Sequence, residues 1–191
     1  MRPPASDPAP PGGASSNGRH TDRHWVRAAV ERFERPLVAY AADLTGRLDV
    51  AREVVQETFV RLCSAERESV EPRLAPWLFT VCRNLATDHR RKERRMSLLD
   101  HDRTETVASP APAPGDAAER EDTVSAVLKC LASLPPVQQE AIRLKFQHGL
   151  SYKEIGAVMN LTVTNVGFIL HTGLKTIRTQ LADEQPARTR A

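Results

Sequence analysis

Residues 149–178, GLSYKEIGAVMNLTVTNVGFILHTGLKTIR, decide how the C-terminal half folds. Gly149 ends a preceding helix, and Ser151-Tyr152-Lys153-Glu154 is a capping box. In such a box the serine oxygen accepts from the backbone N–H of Glu154, and the glutamate accepts from that of Ser151. Ile155, Val158 and Met159 continue one apolar stripe. A turn at Asn160-Leu161 leads to Thr162, a second N-cap. A longer helix follows to about residue 181, with Val166, Leu170, Leu174 and Ile177 facing inward. Short helix, tight turn and longer helix make a helix-turn-helix pattern. An ordinary αα-hairpin with polar caps satisfies the same periodicity.

Upstream, Val124, Val127, Leu128, Leu131 and Leu134 recur at spacings of three and four. Pro135 and Pro136 break that helix and start VQQEAIRLKF. The N-terminal half is also helical in pattern. WVRAAVERFERPLVAYAADL is apolar at helical spacing, with Pro36 predicted to open a second helix and Gly46 to close it. Asp49 is the expected N-cap of the next helix, in which Val54, Val55, Thr58, Phe59 and Leu62 form one stripe. ERESVEPRLA reads as a loop. Pro76 then opens a helix with Trp77, Leu78, Val81, Cys82 and Leu85 on one face. Strand-like alternation is absent.

The segments between these pieces differ in composition. Residues 1–21, rich in Pro, Gly, Ser and Ala, read as a disordered arm. Residues 101–118 alternate Pro and Ala and read as an extended linker, and residues 183–191 as a tail. The expected fold is therefore all-α: two small helical domains, 22–100 and 119–182, on a flexible tether, the second holding the helix-turn-helix.

Among 191 residues, 27 Lys and Arg face 24 Asp and Glu, so global charge says little and local clustering decides. No run of eighteen strongly apolar residues is present, and the N-terminus has no apolar signal core. Membrane insertion and secretion are not expected. Cys63, Cys82 and Cys130 are far apart and odd in number, which fits a reducing cytoplasm. Cys63 and Cys82 read as packed thiols. His20 and His24 are too few for a metal site. A phosphate-binding glycine loop and a nucleophile elbow are both missing, so neither catalysis nor a cofactor is expected.

RNLATDHRRKERR, residues 83–95, holds six Arg or Lys and two Asp or Glu, a local net charge of +4. Clustered guanidinium groups bind phosphate and release counterions. Aromatic side chains nearby stack on unpaired bases. A solvated basic helix end, favoured by the helix dipole, is the plain alternative. Beside a helix-turn-helix, whose recognition helix fits the major groove of B-DNA, the basic helix favours nucleic acid.

In chain order, VAREVVQETFVRL, then PWLFTVCRNLATDHRRKERR, then LASLPPVQQEAIRLKFQHGLSYKEIGAVMNLTVTNVGFILHTGLKTIR resemble an extracytoplasmic-function (ECF) sigma factor of bacterial RNA polymerase. The resemblance implies sigma regions 2 and 4 without region 3. It implies that the helix of Glu53, Gln56 and Glu57 docks on the polymerase clamp, with Phe59 toward the core. It assigns Trp77, Arg83, Asn84, His89, Arg90, Arg91 and Arg94 to the −10 element, with residues 67–75 shaping a pocket for a flipped base. It assigns Thr162, Thr164, Asn165, His171 and Lys175 to the −35 element. The implied partners are core RNA polymerase at its clamp and flap, promoter DNA and an anti-sigma factor.

Three departures bear on function. Val50-Ala51-Arg52-Glu53 stands where an acidic stretch is usual, and Cys63 where a Trp is frequent. Gly167, Ile169, Thr172 and Leu174 occupy positions that commonly carry Lys or Arg, leaving His171, Lys175 and Arg178 to meet phosphate. The expectation is that region 4 binds its −35 DNA weakly, or reads it mainly through Thr162, Thr164 and Asn165, with Phe168 and Ile169 meeting a protein or completing the core. The rival from another class is a two-domain DNA-binding regulator that never engages polymerase. A helical adaptor that binds only proteins would leave the 83–95 helix unexplained.

Overall fold

In the computed structural model the described backbone covers residues 16–97 and 118–184. Every regular element among these residues is helical. The helices are α1 (Ser16–Thr45), α2 (Leu48–Cys63), α3 (Arg67–Val70), α4 (Leu74–Ser97), α5 (Ala118–Ser133), α6 (Pro136–Phe146), α7 (Tyr152–Met159) and α8 (Val163–Glu184). A 3-10 turn, Glu71–Arg73, joins α3 to α4. Helix α1 begins inside the expected 1–21 arm. Residues 1–15, 98–117 and 185–191, which take in most of the expected arm, linker and tail, lie outside the described residues.

α1, α2 and α4 form the N-terminal module. Leu37, Tyr40 and Ala41 of α1, Val54, Val55 and Leu62 of α2, and Leu78, Phe79 and Cys82 of α4 are buried together. Pro36 does not open a new helix; it lies inside α1. A mid-helix proline removes one backbone bond and costs about 3 kcal/mol. Here Ala29 and Phe33 before it, and Leu37, Tyr40 and Ala41 after it, all face the same core. Burial on both sides offsets the proline, and the helix runs on through it to Thr45.

Gly46 ends α1 at φ +75, as its position predicts. Asp49 is not the cap of α2: Arg47 occupies that position without a side-chain cap bond. Asp49 sits in the first turn, ion-paired with Arg47. Residues 66–75 are not a loop but one turn of α3, the 3-10 turn and the start of α4. An Arg67–Glu71 pair at 2.9 Å, four residues apart, supports that turn.

α5 to α8 form the C-terminal module. The capping box at Ser151 is present: Glu154 N–H donates to Ser151 Oγ at 3.3 Å, and Ser151 N–H to Glu154 Oε2 at 2.7 Å. Asn160 takes φ +56, and Leu161 N–H donates to the Gly156 carbonyl at 2.8 Å. Asn165 N–H donates to Thr162 Oγ1 at 3.2 Å, making Thr162 the cap of α8. α7 and α8 meet at 101°, a helix-turn-helix angle. Two inward expectations are corrected. Val124, Val127 and Leu128 are exposed, because burial on α5 begins only at its last turn, with Cys130 and Leu131. Leu174 is 36% exposed, turned off the packed face on which Gly173 and Ile177 meet the other helices. Among the described residues no single helix is long and apolar enough to cross a membrane.

Candidate nucleic-acid interface and the junction between modules

α8 has two distinct faces. Val166 and Leu170 are buried, and Gly173 packs so closely on α6 that an added Cβ would lie 2.9 Å from Ile142 Cδ1. The opposite face carries Thr164, Asn165, Phe168, His171 and Lys175, all exposed, beside the exposed cap Thr162. The structure thus brings every sequence-expected −35 residue to one outward stripe beginning at the helix N-terminus. Phe168 and Ile169 part company: Phe168 is 68% exposed, whereas Ile169 packs against the core.

The expected −10 residues divide in another way. Asn84, Arg90, Arg91 and Arg94 are exposed along α4. Arg91 reaches Asp88 at 3.3 Å, and His89 Nδ1 lies 3.6 Å from Glu93. Trp77 and Arg83 instead face the C-terminal module. Trp77, with Pro72, Pro76 and Thr80, lines one wall of a cleft of about 780 Å³ whose other wall includes Lys153 and Ala157. Arg73 also lines it, so the turn expected to shape a base pocket opens here.

Arg83 is held by Glu140 of α6, with Nε to Oε1 at 2.7 Å and Nη2 to Oε2 at 3.4 Å. Tyr40 donates its hydroxyl to the same carboxylate at 2.7 Å. Burial foremost, then the Glu140 charge, holds the Tyr40 proton well above the usual phenol range. Burial alone would lower the Arg83 guanidinium, but Glu140 outweighs it and raises it. A second ion pair, Arg143 Nη1 to Asp43 Oδ1 at 2.6 Å, lies beside the first. Burial raises the Asp43 carboxyl by more than Arg143 lowers it. His148 fills the gap, its ring centroid 4.7 Å from Phe79 and 5.8 Å from Tyr40. Burial, with Arg143 second, pushes the imidazole down to about 4. Sequence reasoning missed Tyr40, Glu140, Asp43, Arg143 and His148, because no local pattern links residues so far apart.

On α2, Glu53, Gln56 and Glu57 are exposed, with Glu57 bonded to Arg61 at 3.1 Å. Phe59 is partly buried against the core, as expected. Cys82 is a buried thiol pushed up to about 12 by desolvation, but Cys63 is exposed at the end of α2, not packed. Among the described residues no cluster of His, Cys, Asp and Glu could hold a metal ion.

Among the described residues, an all-helical fold with a helix-turn-helix and a basic helix end fits a nucleic-acid-binding protein. Comparison with known proteins makes the class specific. The Sigma-70 region 2 model matches residues 29–96, and the Sigma-70 region 4 model matches residues 125–177. The chain is 34% identical over 133 residues to the ECF RNA polymerase sigma factor EcfG of Rhodopseudomonas palustris, covering 68% of this chain and 70% of the relative. It is 26% identical over 163 residues to SigW of Bacillus subtilis, covering 81% and 87%. A solved structure of the sigma factor RpoE in complex with the anti-sigma factor NepR from Bartonella quintana shares the fold, with a TM-score of 0.56 and 21% identity. That match covers 88% of this chain and 98% of the other. The chain belongs to the ECF sigma factor family and serves RNA polymerase in transcription initiation.

Proposed function

We propose that this sigma factor binds core RNA polymerase, directs it to paired −35 and −10 promoter elements, and promotes strand opening at the second. In this reading residues 22–100 are region 2 and residues 119–182 region 4, joined by the 101–118 linker. Glu53, Gln56 and Glu57 of α2 meet the clamp, and region 4 meets the −35 duplex and the flap. Arg90, Arg91 and Arg94 neutralise phosphates beside the −10 element, where Asn84 and Trp77 contact unpaired bases. Extruding a base costs a few kcal/mol of stacking, which pocket contacts and phosphate neutralisation offset. Opening then draws on binding energy and requires no nucleotide cofactor.

The observation that carries this reading is the outward stripe of α8, with hydrogen-bonding side chains at the helix start and a basic helix end in the other module. An anti-sigma partner is part of the proposal, supported by the relative whose structure contains one. Run-off transcription with purified core polymerase on genomic fragments tests it. A product that depends on this chain supports the reading; no product on any template refutes it. Core polymerase capture separates it from a polymerase-independent regulator: Gln56→Ala with Glu57→Ala weakens capture only if α2 docks.

A further inference from the structure

We propose that Phe168 is a base-reading side chain whose ring packs against the 5-methyl group of one thymine in the −35 duplex; this rests on region 4 binding that duplex.

Among the large apolar side chains of the described residues, Phe168, at 68%, is the most exposed. Its ring adds little burial to the fold and is open to contact from outside. Its place on α8 identifies the partner. The residues three and four positions away, Thr164, Asn165, His171 and Thr172, are all polar. Phe168 is therefore an isolated apolar point within a hydrogen-bonding and cationic stripe. A protein-docking face on a helix needs apolar neighbours at those spacings, and here it has none.

DNA supplies the matching surface. The major-groove floor is lined by donors and acceptors, and its apolar point is the thymine methyl, against which phenylalanine packs. Phe168 lies in the second turn of α8, within the N-terminal portion that a recognition helix presents to base edges. The scarcity of cations sharpens the argument. His171, Lys175 and Arg178 are the basic residues of α8, so phosphate attraction is small and discrimination falls to base contacts. Ile169 packs inward and takes no part.

The test uses holoenzyme assembled from the full chain on a promoter recovered by run-off transcription. Each −35 thymine is replaced in turn by deoxyuridine, which removes only the methyl. At one position wild-type holoenzyme loses about fourfold in affinity, the worth of one buried methyl. The loss disappears in Phe168→Ala, while Phe168→Leu keeps part of it. An unchanged melting curve for Phe168→Ala shows that the fold is intact. Equal deoxyuridine losses in wild type and variant, or none in wild type, overturn the proposal. Promoter affinity unaltered by Phe168→Ala, with weakened polymerase or anti-sigma capture, overturns it in favour of a protein contact. If wild-type holoenzyme ignores the −35 sequence altogether, the −35 reading itself fails, a result distinct from these.

Discussion

Arg83 of α4 and Glu140 of α6, 57 positions apart, form an ion pair at 2.7 Å that ties the two modules together. Tyr40 completes the group by donating to the same carboxylate. Glu140 is 10% exposed and Arg83 27%, so the pair is largely desolvated. It also holds a residue assigned to the −10 element against region 4. A role for Arg83 at the −10 strand would require the modules to part.

Glu140→Gln keeps an acceptor for Tyr40 but removes the charge that Arg83 faces. Breaking one side of a fully buried pair costs about 3–5 kcal/mol; partial exposure of Arg83 reduces the expected loss to about 1–2 kcal/mol. Urea unfolding measures that loss. Small-angle scattering of the variant is expected to show a larger radius of gyration, because the junction opens before either module unfolds. An unchanged radius with unchanged stability would mean that the pair does not hold the modules.

His148 gives the same junction a pH dependence. Folding lowers its pKa from 6.5 to about 4, so the folded chain disfavours the protonated ring. The neutral ring's contribution is complete above pH 6.5 and is lost as pH falls from there to about 4. Asp43, raised by burial, contributes the opposite slope at the acid end of that range. Urea midpoints followed between pH 8 and 4 are expected to decline below 6.5 in the wild type. His148→Gln removes the imidazole's share and flattens the upper part of the curve; a slope identical in both chains would place the titration elsewhere.

Much of this architecture was legible in the sequence, and the failures share a cause. The capping box, Gly46, Thr162 and the helix-turn-helix depend on residues within a few positions, so local chemistry specified them. Pro36 misled because its local cost is overridden by apolar residues on both sides that bury against α2 and α4. Val124, Val127 and Leu128 misled because helical periodicity reports a face, not whether a partner covers it. The α8 stripe was readable for the same reason as the caps. The Arg83–Glu140 and Asp43–Arg143 pairs were not, since only the docking of the modules brings those charges together.

The turn between α7 and α8 is held by a close approach at Gly156. A Cβ there would lie 2.7 Å from the Leu161 carbonyl oxygen, which belongs to backbone rather than a movable side chain. Alanine would ordinarily improve a helix interior by up to about 1 kcal/mol over glycine. Here Gly156→Ala is expected to destabilise the chain by about 1–3 kcal/mol through overpacking and to tilt α8. Gly173→Ala is the control, because its obstacle is the mobile end of Ile142 at 2.9 Å. Thermal melts should separate the two variants, and −35 affinity should fall further for Gly156→Ala.

The basic end of α4 predicts a salt signature. Arg90, Arg91 and Arg94 are exposed, and Arg91 has only a surface pair with Asp88 to give up. Each phosphate contact contributes about 0.9 to the slope of log affinity against log salt on duplex, and about 0.7 on single strands. Alanine at any one of the three is expected to weaken promoter binding at all −10 sequences alike and to lower the slope by about that amount. Arg83→Ala should behave differently, since it also releases Glu140 and loosens the junction. Salt titrations of holoenzyme on a forked promoter, run for each variant, measure both effects. A slope that stays at the wild-type value in the Arg90, Arg91 and Arg94 variants would show that this helix end is solvated surface and contacts no phosphate.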